Sequence, residues 1–214
     1  MPDAPRVQKR FDPREVSDLV MSPSFGASES SGAETNRLAG SRVSFLMSTG
    51  LEYADGGEYE EAERAYLRAL EQDPANDDLL FRLSTLYVMM ERYADAIAIL
   101  ERQLEKYPEN GMLHNNLAWC YATSPMDRNT VKALRHAREG IMSTPDNPSM
   151  WNTLAEAYYV AADYERALRS ADCAIDLLAA VGDADAEKES FEAQRDKILR
   201  ARDAYLFLEG LDGE

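Results

Sequence analysis

Few side chains in this 214-residue chain have the type and spacing to do covalent, acid–base or metal chemistry. The two histidines, His114 and His136, have no carboxylate or thiol at ligand spacing on the same face, so neither a metal nor a cofactor is expected. Cys120 and Cys173 make no disulfide framework and read as thiols packed between helices in a reducing compartment, which points to the cytoplasm. With no glycine-rich phosphate loop, nucleophile elbow or paired-acid site, no catalytic residue is assigned and the chain reads as a non-enzyme. What remains is non-covalent chemistry. The run "NNLAW" sets two amides, Asn115 and Asn116, beside Trp119. Each amide offers two donors and an acceptor that can pair with a peptide backbone, and the indole supplies apolar area of the kind that dominates interface hot spots.

Such groups need a scaffold that holds them clear of a hydrophobic core. A hydrophobic content of 45% is enough to build that core, and no run approaches the roughly 18 uncharged apolar residues of a membrane span. Arg6, Lys9, Arg10, Asp12 and Arg14 break up the first apolar patches, so no secretory leader is expected. Residues 1–42 balance six basic against six acidic side chains, which leaves the whole net charge of −16 in residues 43–214. So acidic a body repels nucleic-acid phosphates and anionic lipid; the expected partner is another protein or peptide, with no nucleic acid and no membrane insertion.

The scaffold is a repeat. An aromatic residue, an alanine nine residues on and a proline twelve further recur at an offset of 34: Tyr53, Ala62, Pro74, then Tyr87, Ala96, Pro108. A third copy has Tyr121, Ala133 and Pro145, with three extra residues inside "TSPMDRNT"; a fourth has Tyr158 and Ala167 without a closing proline. Within each first helix, positions 4, 7, 8 and 11 of the copy fall on one stripe, and a small residue at position 20 lets a second helix come close. Each copy is therefore a helical hairpin, its second helix stopped ahead of the proline. One hairpin cannot bury both faces, so the copies are expected to stack into an all-α, right-handed superhelical solenoid whose concave side is lined by the first helices.

This pattern resembles the tetratricopeptide repeat family. Copy one (43–76) carries Leu46, Gly50, Tyr53, Tyr59, Ala62, Tyr66, Ala69 and Pro74, and copy two (77–110) carries Leu80, Leu83, Ser84, Tyr87, Tyr93, Ala96, Leu100 and Pro108. Copy four (148–181) carries Trp151, Leu154, Ala155, Tyr158, Tyr164, Ala167, Ala171 and Ala174; copy three (111–147) departs by placing His114 at the first large position. The resemblance implies a protein-binding adaptor or scaffold that works through its groove. Family members that hold a peptide carboxylate use groove Lys and Arg, whereas here Arg82 alone stands near that side. The surface is more similar to the asparagine-bearing groove of the O-GlcNAc transferase repeats, with Asn116 at the matching position.

Positions 2, 5, 9, 12 and 13 of the first helices point away from the core stripe and into the groove. The peptide-binding groove is therefore expected to use Met47, Leu51, Phe81 and Met89 from the first two copies, then Asn115, Trp119, Asn152, Glu156 and Tyr159 from the last two, with Asn116, at position 6, bordering the same face. Ahead of the repeats, 1–42 reads as a flexible segment whose Ser- and Gly-rich part, 22–41, is a linker; within it Val16, Leu19 and Val20 would share one face of a short helix at 12–21, either disordered or folded by docking. After the repeats, 182–208 reads as a capping helix with Phe191, Ile198 and Tyr205 at heptad spacing, a coiled-coil strand being the alternative, and 209–214 as a tail. The alternative to an adaptor is a structural protein that assembles with copies of itself as a homo-oligomer.

Overall fold

A computed structural model of the chain describes the backbone over residues 29–181 and 185–211 and the side chains over 40–180 and 187–208. All regular structure among these residues is helical: α1 (Glu29–Asp55), α2 (Tyr59–Leu70), α3 (Asp77–Met89), α4 (Tyr93–Lys106), α5 (Gly111–Thr123), α6 (Thr130–Ser143), α7 (Pro148–Val160), α8 (Tyr164–Val181) and α9 (Asp185–Leu211). The amphipathic stretch 12–21 lies outside the described residues. The chain divides within α3 into two compact units, Met1–Leu86 and Tyr87–Glu214.

Local chemistry sets where the helices begin and end. The Oδ1 atoms of Asn76, Asn110, Asn129 and Asn147 accept the backbone N–H of Leu79, Met112, Lys132 and Ser149 at 2.9–3.0 Å, satisfying donors that a helix start leaves without a partner. At the other end, α2, α4 and α6 stop at Leu70, Lys106 and Ser143, short of Pro74, Pro108 and Pro145, where the ring would break the ladder and bias the preceding residue out of the helical region.

In the first unit α1 packs on α2. A Cβ on Gly50 would lie 2.4 Å from Cε1 of Tyr66, so glycine is what lets that buried ring rest directly on the α1 backbone. The helix α1 starts at Glu29, inside the stretch 22–41 expected to be a flexible linker. Ala33, Glu34, Leu38 and Ala39 favour helix, and extending an existing helix costs far less than nucleating one, so the helical 43–55 segment carries the conformation backwards through Ser and Gly.

In the second unit each helix from α4 to α9 packs on the next, the first helices of the last two hairpins touch, α5 on α7, and α7 also touches the final helix α9. That nearest-neighbour stacking is the plan of an all-α helical-repeat solenoid. Ala96, Ala133 and Ala167, like Ala62 in the first unit, are fully buried, which fixes the register read from the sequence. The last helix α9 sets Ile198 against Ala155, Ala167, Leu168 and Ala171, and Phe191 against Ala174 and Leu178, so it closes the apolar end of the stack as a cap.

The turn inside each hairpin has one anchor. The carbonyls of Tyr53, Tyr87 and Tyr158 accept the N–H of Glu58, Arg92 and Asp163 at 2.8, 2.8 and 3.0 Å, and Tyr121 accepts that of Asn129 at 2.9 Å. The three extra residues of copy three are absorbed between those fixed points: Pro125, Met126, Asp127 and Arg128 bulge into solvent, closed by a 2.9 Å bond from the Asp127 N–H to Ser124 Oγ. In the three uninterrupted copies the residue at position 15 is left-handed, with φ of 77° at Gly57 and 56° at both Glu91 and Ala162.

Candidate functional site

The inner face of the second unit is built from α5 and α7. Along α5 the side chains of Leu113, Leu117, Ala118 and Tyr121 are buried, and helical periodicity therefore turns Asn115, Asn116 and Trp119 to the other side, where all three are half-buried. Met112, exposed, stands at the head of the same face. On the neighbouring α7, Asn152 and Tyr159 are half-buried and Glu156 is buried. Asn115 and Asn152 hold the same position, the fifth, in consecutive copies. Both keep a buried amide Oδ1 with no hydrogen-bond partner among the described residues, a condition that costs of the order of 1–3 kcal/mol per group.

The copy-four end of this face is not open. Helix α9 lies over it: Lys197 Nζ donates to Glu156 Oε1 and Oε2 at 2.9 and 3.0 Å, and Gln194 Nε2 donates to Glu156 Oε2 at 3.1 Å and to the Asn152 backbone carbonyl at 3.2 Å. The same ammonium sits 4.2 Å from the centre of the Tyr159 ring, a cation–π contact. Glu156, expected as an open groove contact, is instead 6% exposed under the chain's own C-terminal helix, because a carboxylate there needs a cation and α9 provides one. Gln194 and Lys197 carry no local signal in the sequence, where 182–208 reads as a charged, helix-favouring segment with no mark of which face meets α7. In the first unit Met47 and Phe81 are half-buried and Leu51 is exposed; Met89, at the end of α3, is exposed too.

Reactive chemistry is sparse. Among the described residues no group of three His, Cys, Asp or Glu is placed to hold a metal ion, and no helix is long and apolar enough to cross a membrane. Burial pushes the Cys120 thiol up to about 12, so at neutral pH it is a protonated, inert packing group. Cys173 is half-buried. The two histidines, separated by 22 residues, meet: His114 and His136 face each other with Nδ1 atoms 2.8 Å apart. A signal for this existed. Once the three inserted residues are discounted, they hold positions 4 and 23 of one copy, both core positions in the hairpin frame.

Comparison with known proteins bears on the scaffold. The family profile described as "Tetratricopeptide repeat" matches residues 53–122. No curated protein sequence matches. Among solved structures the chain is similar to the MamA protein, with 18% identity over 75% of this chain and 88% of that one and a TM-score of 0.54. It is also similar to a thermophilic tetratricopeptide-repeat protein from Thermus thermophilus, at 16% identity, 78% and 96% coverage and a TM-score of 0.57. A tetratricopeptide repeat protein from Parabacteroides merdae gives 17% identity, 78% and 67% coverage and a TM-score of 0.51. At such identities these likenesses speak for the fold.

Proposed function

We propose that this chain, a tetratricopeptide-repeat protein, is a non-catalytic protein-binding module that takes an extended segment of a partner protein on the α5–α7 inner face of its second unit. The observation that carries the reading is the pair of equivalent amides, Asn115 and Asn152, each with a buried oxygen that no described residue hydrogen-bonds, beside the half-buried indole of Trp119. A partner's backbone N–H groups, met after a small rotation of each amide, would satisfy both acceptors, and Trp119 with Met112 would bury apolar area around them. The acidic body favours a neutral or basic partner segment over nucleic acid or anionic lipid, in a reducing, cytoplasmic setting. Because α9 already occupies the face at Glu156 and Tyr159, the segment would run over copy three and end at Asn152 rather than cross all of copy four.

The test is affinity capture by the full chain, comparing wild type with Trp119→Ala, with Asn115→Ala plus Asn152→Ala, and with Met142→Ala on an exposed site of α6. A polypeptide retained by wild type and by Met142→Ala but lost from the two inner-face variants supports the reading; retention by all of them contradicts it.

A second reading, a self-assembling scaffold, is favoured by one feature. Tyr205, Leu206, Phe207 and Leu208 follow one another near the end of α9 with exposures of 43–68%. Light scattering separates the two: a self-assembler gains mass with concentration and loses that gain on Phe207→Asp, whereas a binding module keeps one mass throughout.

A further inference from the structure

The heavy-atom geometry around the histidine pair fixes where its protons sit. His114 Nε2 lies 2.9 Å from the Pro108 carbonyl, which can only accept, so Nε2 carries the hydrogen. Copy four makes the same contact with a group that has no choice: Trp151 Nε1, at the position equivalent to His114, donates to the carbonyl of Pro145 at 2.7 Å. A neutral His114 protonated at Nε2 has a bare Nδ1, and His136 Nδ1, 2.8 Å away, must donate to it. That leaves His136 Nε2 bare, and the guanidinium of Arg135, always a donor, points Nη2 at it from 3.1 Å. The hydrogen bonds therefore run one way, Arg135 to His136 to His114 to the Pro108 carbonyl, with both rings neutral and all four ring nitrogens satisfied.

We propose that this pair is an acid-sensitive latch on the α5–α6 hairpin, shut while both rings are neutral and released when the pair takes up one more proton. The extra proton has no good place. On His136 Nε2 it confronts the Arg135 guanidinium; on His114 Nδ1 it sets two N–H groups against each other. Both rings are largely buried, at 8% and 4% exposure, so water solvates the added charge poorly.

Charged and titratable neighbours approach the pair from α4, α5 and α6. On α6 itself, Lys132 and Arg135 oppose the proton and Glu139 lines the cleft beside the pair. On α5, Tyr121 stacks on His136 with ring centres 6.0 Å apart. On α4, Glu101 and Glu105 line the same cleft, and Glu101 favours the proton. The Glu101 charge is already engaged: Tyr121 OH donates to its Oε1 at 2.6 Å and Lys132 Nζ at 3.3 Å, and these contacts, the tyrosine's first, hold its carboxyl below the usual carboxylate range. Burial first, then Arg135, His114 and Lys132, push His136 down to about 4.

The sign of the effect follows. A histidine kept neutral by the fold but free to protonate when unfolded contributes its stability in full above about pH 6.5, loses it as pH falls from there toward about 4, and changes little below. A cleft of about 610 Å³ opens beside the pair and gives protons a route in. Since His114 directly precedes Asn115 on α5, release would also disturb the inner face, but the latch does not depend on that face binding a partner.

The experiment is ¹⁵N histidine NMR on the full chain, followed by amide exchange of α5 and α6 between pH 7 and pH 5. The expected result is His136 as the Nδ1–H tautomer and His114 as the Nε2–H tautomer at pH 7.5. Hairpin protection should then fall roughly tenfold more in wild type than in His136→Asn, whose amide can donate to His114 Nδ1 without titrating. Opposite tautomers, a His136 midpoint near its ordinary value, or equal loss of protection in both proteins would overturn the proposal. Should His136→Asn fail to fold, the tautomers and the wild-type midpoint decide the matter alone.

Discussion

The α5–α6 and α7–α8 hairpins of the second unit are built to one plan and end up doing different things. Both cross at a fully buried alanine, Ala133 or Ala167, both anchor the turn on a tyrosine carbonyl, and both send a ring N–H from position 4 to the carbonyl of a preceding proline. The difference begins with the ring. An indole has one nitrogen and is satisfied by that bond; an imidazole has two, and the second forces a polar partner into the core. His136 fills that need in copy three, whereas the equivalent Ser170 of copy four bonds back to its own helix, Ser170 Oγ to the Arg166 carbonyl at 2.9 Å. A second difference lies on the inner face, which α9 covers at Glu156 in copy four and leaves free of that cover at Trp119 in copy three. The repeat frame thus fixes where a side chain points, and single residues decide whether that place becomes core, cap contact or uncovered surface.

The comparison can be broken most forcefully at its core. His136→Leu leaves the buried Nδ1 of His114 without a donor and should cost about 3 kcal/mol in urea denaturation, while Ser170→Ala, which loses only a bond within its own helix, should cost well under about 1 kcal/mol. Equal costs would mean that polar pairing is not what distinguishes the hairpins. Next in size, Trp119→Ala and the double change Asn115→Ala with Asn116→Ala should each weaken partner binding by at least about 2 kcal/mol with helix content unchanged by circular dichroism. If Trp119→Ala unfolds the hairpin instead, the indole is core.

Where the plan is shared, the effects should match. Ala96→Leu, Ala133→Leu and Ala167→Leu should each overpack a crossing and lose about 1.5 kcal/mol in thermal denaturation, and a variant with no loss would mean that the register is misplaced at that copy. The smallest effect belongs to the turns. Ala162 sits at a φ of 56°, so Ala162→Gly relieves a left-handed backbone and should raise stability by about 0.5 kcal/mol; a fall would show that the strain is offset by contacts of the methyl group.

Much of this was legible in the sequence because a 34-residue offset states both the hairpin and its register: the buried alanines Ala62, Ala96 and Ala167 follow from the spacing, whereas Ala133 falls three places late. Two kinds of information were not legible. The contacts of α9 with Glu156 and Asn152 join residues about 40 apart, and which face of a charged, helix-favouring segment turns inward depends on packing that no local pattern encodes. The histidine pair was hidden by the insertion in "TSPMDRNT", which shifts His136 by three places and disguises a core position as an arbitrary one. The helix over 29–42 was missed for a third reason: Ser and Gly composition argues for a linker only where no neighbouring helix can extend into it.

The central claim is that copy three offers an open inner face to another protein. Photo-crosslinking tests it directly in intact cells that express the full chain with a photoreactive residue at position 119, at the exposed position 142 or at the exposed position 207. The account predicts a discrete crosslink from 119 to a different polypeptide, absent from 142 and 207 and reduced when Asn115 and Asn152 are both alanine. A crosslink from 207 to a second copy of this chain, with none from 119, would contradict it.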